Sequence, residues 1–569
     1  MLQEALGNET VDKLRAIAGK RYTLTGARET ARYRTGFRFG AGAVLAVVRP
    51  GSLVEQWRIL QVCHKAGVIV IMQAANTGLT GGSTPDGDAY DRPIIIINTL
   101  RIAKLHMLPG VAQVIALPGA TLFQLEKTLR PLGYEPHSVI GSSCLGASVT
   151  GGIANNSGGA LIRRGPAFTQ FALYAQVNAT GALELVNHLG INLGNDPETI
   201  LTRLEAGDFS GGIETPLDRV ASDHEYATHV RDISAPTPAR FNADPRRLFE
   251  ASGSGGKLAI FAVRLDIFAK DERTATFYIG SNSGAELTHI RRHILKNFTN
   301  LPVAGEYIHR TAFDIAATYG KDMFIAIEKL GTDRLPALFA FKARFDAFAS
   351  NLPFLPWDFS DRAMQLVGKL FPQHLPARML AYRDSFEHHL LLKMSGAGIE
   401  EARNWLAENF SSGNADYFEC TAEEGEKAFL HRFAIAGAAI RYRAIHRDTV
   451  EDIVALDIAL RRDDQNWEEE LPENISASLL HKLYYGHFFC HVFHQDYIVA
   501  KGQDPLALEH RMWALLDQRG AEFPAEHNVG HLYQAKPALV AHYKAIDPCN
   551  CFNPGIGHTS KLACWGDAA

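Results

Sequence analysis

Two stretches of this chain are too rich in glycine and small polar residues to sit inside any core. One is Gln73-Ala-Ala-Asn-Thr-Gly-Leu-Thr-Gly-Gly-Ser-Thr84. The other is Ile140-Gly-Ser-Ser-Cys-Leu-Gly-Ala-Ser-Val-Thr-Gly-Gly-Ile-Ala-Asn-Asn-Ser-Gly-Gly159. Such backbone can bring successive N–H groups close to an anion, because glycine has no side chain in the way and accepts positive φ. One such loop could be a surface turn. Two of them, each joined to apolar segments, point to a long ligand whose diphosphate is held at several places. Neither loop has the G-x-G-x-x-G spacing of a nicotinamide site, and no G-x-x-x-x-G-K-[ST] element is present.

The segments around the loops alternate between strand and helix patterns. Residues 44–48, 68–71, 94–97 and 114–117 are short β-rich runs, and 53–64 and 122–132 read as amphipathic helices. This predicts a mixed α+β lobe that ends near 264–268. Residues 191–250 are more polar and read as a long surface excursion. Beyond 270, strand patterns at 277–280 and 388–394 alternate with helix patterns at 285–297 and 399–408, which suits a second α+β unit. A chain of 569 residues exceeds what one core supports. A net charge of −5 gives no electrostatic reason for a nucleic-acid partner. Seven scattered cysteines fit reduced thiols better than a disulfide framework, and Cys549, Cys551 and Cys564 lack the partners of a zinc site. The first ten residues do not read as a signal peptide, and no apolar run could span a bilayer, so membrane contact is expected to be peripheral.

The loops resemble the flavin-binding half of the vanillyl-alcohol oxidase type (PCMH-type) FAD family. There a turn like Asn76-Thr-Gly-Leu-Thr-Gly-Gly-Ser83 wraps the FAD diphosphate, and a stretch like 146–159 runs along the cofactor. Residues 118–129 and 251–260 also resemble family segments. Near the end, Ala525-Glu-His-Asn-Val-Gly-His531 resembles the Glu-His-Gly-x-Gly element of the 2-hydroxy-acid dehydrogenase branch, and 547–555 resembles its closing Asp-Pro…Asn-Pro-Gly. The resemblance implies an α+β fold: a discontinuous two-lobed FAD-binding domain (1–266, completed by 518–569), an α+β cap (267–310, 387–424, 449–517) and a small basic membrane-binding element (311–386, 425–448). It implies oxidation of D-lactate to pyruvate, with electrons passed to a membrane quinone at the cytoplasmic face of the bacterial inner membrane. For the cofactor it implies contacts from Ala74, Ala75, Asn76, Thr77, Gly78, Gly82, Ser83, Gly141, Ser148, Gly158 and Ile260. The first loop has no histidine, so the FAD is expected to be non-covalent.

For the chemistry, the resemblance points to His527 as the base that takes the hydroxyl proton, since a neutral imidazole suits that step. Asn528 stands where the family usually has glycine. With 23 histidines in the chain, a lone one in a polar turn is more often structural. Phe429-Leu-His-Arg-Phe433 resembles the family segment whose arginine meets the substrate carboxylate. This makes Arg432 the candidate, unless it belongs to a basic surface. His487 and His494 keep the spacing of two metal-binding histidines in related enzymes, but Phe-Cys-His-Val replaces the residues between. No metal is expected. The alternative is Zn²⁺ or Mn²⁺ on His487, His494 and Glu526, although positions 487 and 494 of one strand would face opposite sides without a bulge. His487 can also meet substrate directly.

Two runs are basic and free of acids. Residues 362–383 contain Arg362, Lys369, Arg378 and Arg383, and residues 427–447 contain Lys427, Arg432, Arg441, Arg443 and Arg447. Charge runs are usually solvated faces, but these lack the usual mixture of signs, so an anionic lipid surface is the expected partner. Two other functions remain open. One is a soluble D-2-hydroxyglutarate or glycolate dehydrogenase of the same family. The other is a non-catalytic flavin electron carrier.

Overall fold

A computed structural model describes residues 2–137, 146–214, 218–331, 359–410 and 414–566. Gly141 and residues 332–358 of the expected membrane-binding element lie outside these. The N-terminal lobe carries a four-stranded sheet in the order Thr23–Leu24, Ala46–Val48, Ile94–Asn98, Ile69–Gln73. Its last three strands run parallel, and Ile94 to Ile97 are all buried. An unbroken apolar run is what a parallel strand covered on both faces needs. A five-stranded antiparallel sheet follows, with Ala259–Asp266 at its centre.

The chain end returns to the first sheet. The Val70 amide donates to the Cys551 carbonyl at 3.0 Å, and the Asn553 amide donates to the Val70 carbonyl at 2.9 Å. The Asp547 carboxylate fixes this segment by accepting the Cys551 and Phe552 amides, both at 2.9 Å.

The second unit is built on a seven-stranded antiparallel sheet. Its order is Ala415–Glu419, Thr274–Ser281, His388–Ser395, Ala304–His309, Leu479–His487, Val492–Ala500, Val450–Ala459. Alternation along the strands sends Phe277, Ile279, Tyr307 and Leu390 to one face, against the helices Gly284–Asn297, Gly398–Asn409 and Pro505–Gln518. Tyr278, Ile308, Leu391 and Tyr485 point to the other, against Arg310–Tyr319 and Ala422–Ile445.

Local chemistry moved some boundaries. The helix expected over 122–132 is α-helical only for Leu122–Leu129 and tightens to a 3₁₀ turn through Pro131, whose ring opposes continued α-helix. The polar excursion 191–250 contains the helix Pro197–Ala206, started by the Asp196 side chain accepting the Thr199 amide. Most of the second basic run lies inside the 24-residue helix Ala422–Ile445, which opens with a Thr421/Glu424 capping box.

Candidate active site

The site forms where strands of the seven-stranded sheet meet the first lobe and the C-terminal segment. Three acids organise it: the buried Glu306 and Asp457, and the half-buried Glu526. Asp457 holds His527. One carboxylate oxygen lies 2.8 Å from His527 Nδ1 and accepts the Glu526 and His527 amides at 2.7 and 3.1 Å. Burial opposes a charge on His527, but the Asp457 carboxylate outweighs it and the imidazole pKa is raised. With Nδ1 committed to Asp457, Nε2 is left to work, and the side chain is 37% exposed.

Glu306 joins the next two groups. It pairs with His487 Nδ1 at 2.7 Å and with Arg432 Nε at 2.9 Å. The Arg432 guanidinium lies 4.6 Å from the Tyr485 ring centroid, and its side chain is 11% exposed. Arg432 therefore sits in this cluster and not on a basic surface. His487 Nε2 lies 3.3 Å from Glu526. Burial alone would push the His487 pKa down, but the two carboxylates raise it to about 10. Glu526 is held well below the ordinary carboxylate range: burial opposes this, and His487 and Arg240 overcome it. Arg240 donates to Glu526 at 2.7 Å and to the Gly159 carbonyl.

The expected face problem for His487 and His494 does not arise. A 3₁₀ turn, Phe488–Cys490, and His491 at φ +54° fold the chain into a hairpin. The two rings then lie on neighbouring strands with centroids 5.3 Å apart. His487, His494 and Glu526 offer ligand atoms within 4.8 Å of one another. Burial lowers the His494 pKa to about 4, which keeps it neutral. The donor set therefore fits a divalent ion. The same geometry is also balanced without one, because a charged His487 already sits between Glu306 and Glu526.

The two glycine-rich loops approach each other at Gly146 and Ala75 and reach this cluster at Gly158. Among the described residues, a Cβ on Gly78 would meet nothing within 4 Å, and one on Gly146, at φ +91°, would meet only Ala75 at 4.0 Å. This is open space beside bare backbone, as a diphosphate requires. The turn is braced from behind. Asn76, at φ +54°, donates to the Thr35 carbonyl at 2.9 Å and accepts from Ser83 at 3.1 Å, and Asn98 donates to the Ala74 carbonyl at 2.7 Å. Asn553 donates to the Gly82 carbonyl at 2.9 Å. Thr77 lies in the same turn. Ser148 caps the short helix Val149–Ala154. The Ile260 carbonyl accepts from Gln56 at 3.2 Å. A side chain on Gly158 would overlap the Glu526 carboxylate, so the second loop runs directly into the histidine cluster.

Asp457, Glu306 and Arg240 were not legible as site residues. Asp457 and Glu306 did leave a signal, each a single acid within an apolar strand run, at 454–460 and 304–308. A charge there is buried and needs partners. Arg240 left none.

The structure places acids beside the basic runs. Acids from elsewhere in the chain reach most of their cations. Arg383 pairs with Asp314 at 2.6 Å, Arg441 with Asp322 at 3.0 Å and Asp361 at 2.9 Å, and Lys427 with Glu423 at 2.7 Å. Arg378 pairs with Glu424, and Arg443 with Asp452. What stands out instead is apolar. Leu366, Val367, Leu370 and Phe371, on and just after the helix Phe359–Leu370, are 65, 50, 81 and 39% exposed. No helix among the described residues is long and apolar enough to cross a membrane.

Comparison with known proteins decides the family. The family described as "D-lactate dehydrogenase, membrane binding" matches residues 276–565, and "FAD binding domain" matches residues 44–185. The quinone-dependent D-lactate dehydrogenase of Escherichia coli K12 is 59% identical over 98% of this chain and 97% of its own. The chain belongs to the quinone-dependent D-lactate dehydrogenase family. The Haemophilus influenzae protein of the same name is 57% identical over 98% of this chain and 99% of its own. Among solved structures, alkyldihydroxyacetonephosphate synthase superposes with a TM-score of 0.57 at 13% identity, covering 96% of this chain and 85% of that one. That likeness speaks for the fold alone. Family membership makes this chain an FAD-dependent flavoprotein oxidoreductase.

Proposed function

We propose that the protein oxidises D-lactate to pyruvate and passes the electrons to a membrane quinone. The observation that carries this is the Asp457–His527 pair, placed where Glu526 meets the second flavin loop at Gly158. FAD, bound non-covalently along 74–83 and 146–158, supplies the hydride acceptor. Arg432 meets the lactate carboxylate with the guanidinium nitrogens that Glu306 does not engage. His527 Nε2 takes the hydroxyl proton, and Asp457 orients the ring and stabilises the imidazolium that forms. His487, held between Glu306 and Glu526, presents a fixed positive charge to the oxygen that loses the proton. A divalent ion, if acquired, would be held by His487, His494 and Glu526 and would polarise the same oxygen.

The protein docks on the bilayer at the cytoplasmic face of the bacterial inner membrane. Leu366, Val367, Leu370 and Phe371 enter the interface, and Lys369 adds attraction to anionic lipid. Anaerobic titration of the bound flavin tests the substrate. D-lactate should bleach the flavin absorbance at far lower concentration than L-lactate, glycolate or D-2-hydroxyglutarate. Preferential bleaching by D-2-hydroxyglutarate would transfer the protein to the soluble dehydrogenases, and no bleaching by any acid would make it an electron carrier.

A further inference from the structure

The seven-stranded sheet carries a second histidine–carboxylate cluster on the face turned away from the active site. Glu306 and His309 lie three residues apart on the strand Ala304–His309, so their side chains leave opposite faces. His309 is paired directly across the ladder with His388, the first residue of His388–Ser395, and the two rings lie 5.6 Å apart. Glu468 comes from the loop that follows Val450–Ala459. Its neighbour Trp467 is buried and stacks on Phe493. Three separate parts of the chain thus converge, with one ligand atom from each of His309, His388 and Glu468 within 4.8 Å of the others.

We infer that His309, His388 and Glu468 form a second binding site for a divalent cation of the zinc class, distinct from the His487 cluster. Two imidazoles and a carboxylate are the donors such an ion prefers. Glu468 Oε2 faces His388 Nε2 at 3.8 Å. That is too long for a hydrogen bond. It is close to the ~3.4 Å between two ligands that share one tetrahedral ion with bonds of ~2.1 Å. The other nitrogen of His388 is already fixed, because Nδ1 lies 2.8 Å from the buried Tyr307 hydroxyl. If Nδ1 donates its proton there, Nε2 presents a lone pair towards Glu468, the outer-shell arrangement of metal-bound histidines. Glu468 is 43% exposed, which gives the ion a route in, while His388 is 5% exposed. Glu387, close by in sequence, is engaged by Arg310 at 2.8 Å and stays outside the trio.

Loading the site has a structural consequence. His309 Nδ1 accepts the Thr311 amide at 3.2 Å and so caps the helix Arg310–Tyr319. That bond leaves the ring proton on Nε2. Coordination by either nitrogen therefore gives up the cap. In exchange, the Trp467–Glu468 loop becomes tied to the ends of two central strands.

The test uses full-length, FAD-loaded protein stripped by a chelator and titrated with Co²⁺, whose visible absorption reports imidazole coordination, with bound metal counted by atomic absorption. His388→Ala and Glu468→Gln should each lose one equivalent of Co²⁺, and the Zn²⁺-dependent rise of the thermal midpoint that this site supplies. His494→Ala should retain both. Glu468→Gln alters a partly exposed side chain, so it reads out even if His388→Ala fails to fold. Unchanged stoichiometry and unchanged Zn²⁺ stabilisation in Glu468→Gln would overturn the assignment. So would loss of all bound metal in His494→Ala alone.

Discussion

At the scale of single residues, the account rests on carboxylates that decide what each imidazole does. Asp457 is a positioning residue. It touches the reaction only through His527, which its charge holds above the ordinary imidazole range despite burial. Asp457→Asn removes that charge and leaves the shape. The imidazolium loses its partner, so the His527 pKa falls. The acid limb of the kcat/KM profile for D-lactate should then move to lower pH, while kcat drops by about 10²-fold or more as the ring loses its orientation. A lower kcat with an unmoved acid limb would mean that Asp457 supports the fold and does not tune the base. Sequence reading reached His527, His487 and Arg432 through motif resemblance, but it did not reach the acids that bind them. Motifs are local, whereas Asp457 and His527 meet across 70 positions and Glu306 and His487 across 181. The hairpin at Phe488–Cys490 was missed for a related reason. Its αL residue is His491, not the glycine or asparagine that usually advertises such a turn.

At the scale of elements, the first flavin loop and the long helix Ala422–Ile445 give the clearest consequences. A Cβ on Gly78 meets nothing within 4 Å among the described residues, so a side chain there is expected to obstruct chiefly what the loop binds. Gly78→Val should fold, with an unchanged far-ultraviolet spectrum, and purify without flavin. Full FAD occupancy would remove Gly78 from the flavin site. The helix buries His431 against Phe313 and His374, with ring centroids 4.2 Å and 6.5 Å away. Burial lowers the His431 pKa to about 3 and that of His374 to about 4. Both stay neutral in the folded protein, while the unfolded chain takes up their protons as pH falls below about 6.5. Their contribution is therefore intact above that pH and is lost as pH falls from there towards about 4 for His374 and about 3 for His431, at up to about 1.4 kcal/mol per pH unit for the fully enclosed His431 and less for His374. His431→Gln should show a smaller fall in thermal midpoint between pH 7.5 and 5 than the unchanged protein. An equal fall would place the acid sensitivity elsewhere. The strands and helices that support these groups were readable, since apolar alternation and capping residues are local signals. Pairing order and face were not, because they depend on contacts distant in sequence.

For the whole molecule, the question is what holds it to a membrane. The two basic runs looked like a cationic face because no acid interrupts either one. Folding brings Asp314, Asp322, Asp361, Glu424 and Asp452 to them, and a paired cation has less charge left for lipid. Among the described residues, Leu366, Val367, Leu370 and Phe371 form an exposed apolar group at the first run, each side chain adding roughly 0.8 kcal/mol per methylene that enters the interface. Changing Leu366, Val367, Leu370 and Phe371 together to serine should abolish sedimentation with vesicles, while D-lactate-driven reduction of a soluble dye is retained. Binding in the unchanged protein should weaken only modestly with salt. Full retention by the serine variant, or complete release by moderate salt, would return the anchor to the cations. Net charge and runs along the chain could not reveal this, because sequence shows where charges are and not which of them meet.

The central claim is that His527 takes the substrate proton while the flavin loops hold FAD independently of it. Stopped-flow measurement of flavin reduction by D-lactate in His527→Ala tests this most directly. The variant should carry a full complement of FAD and reduce it at least about 10²-fold more slowly than the unchanged enzyme. FAD reduced at a near-normal rate would contradict the account and move the proton to another group, His487 first.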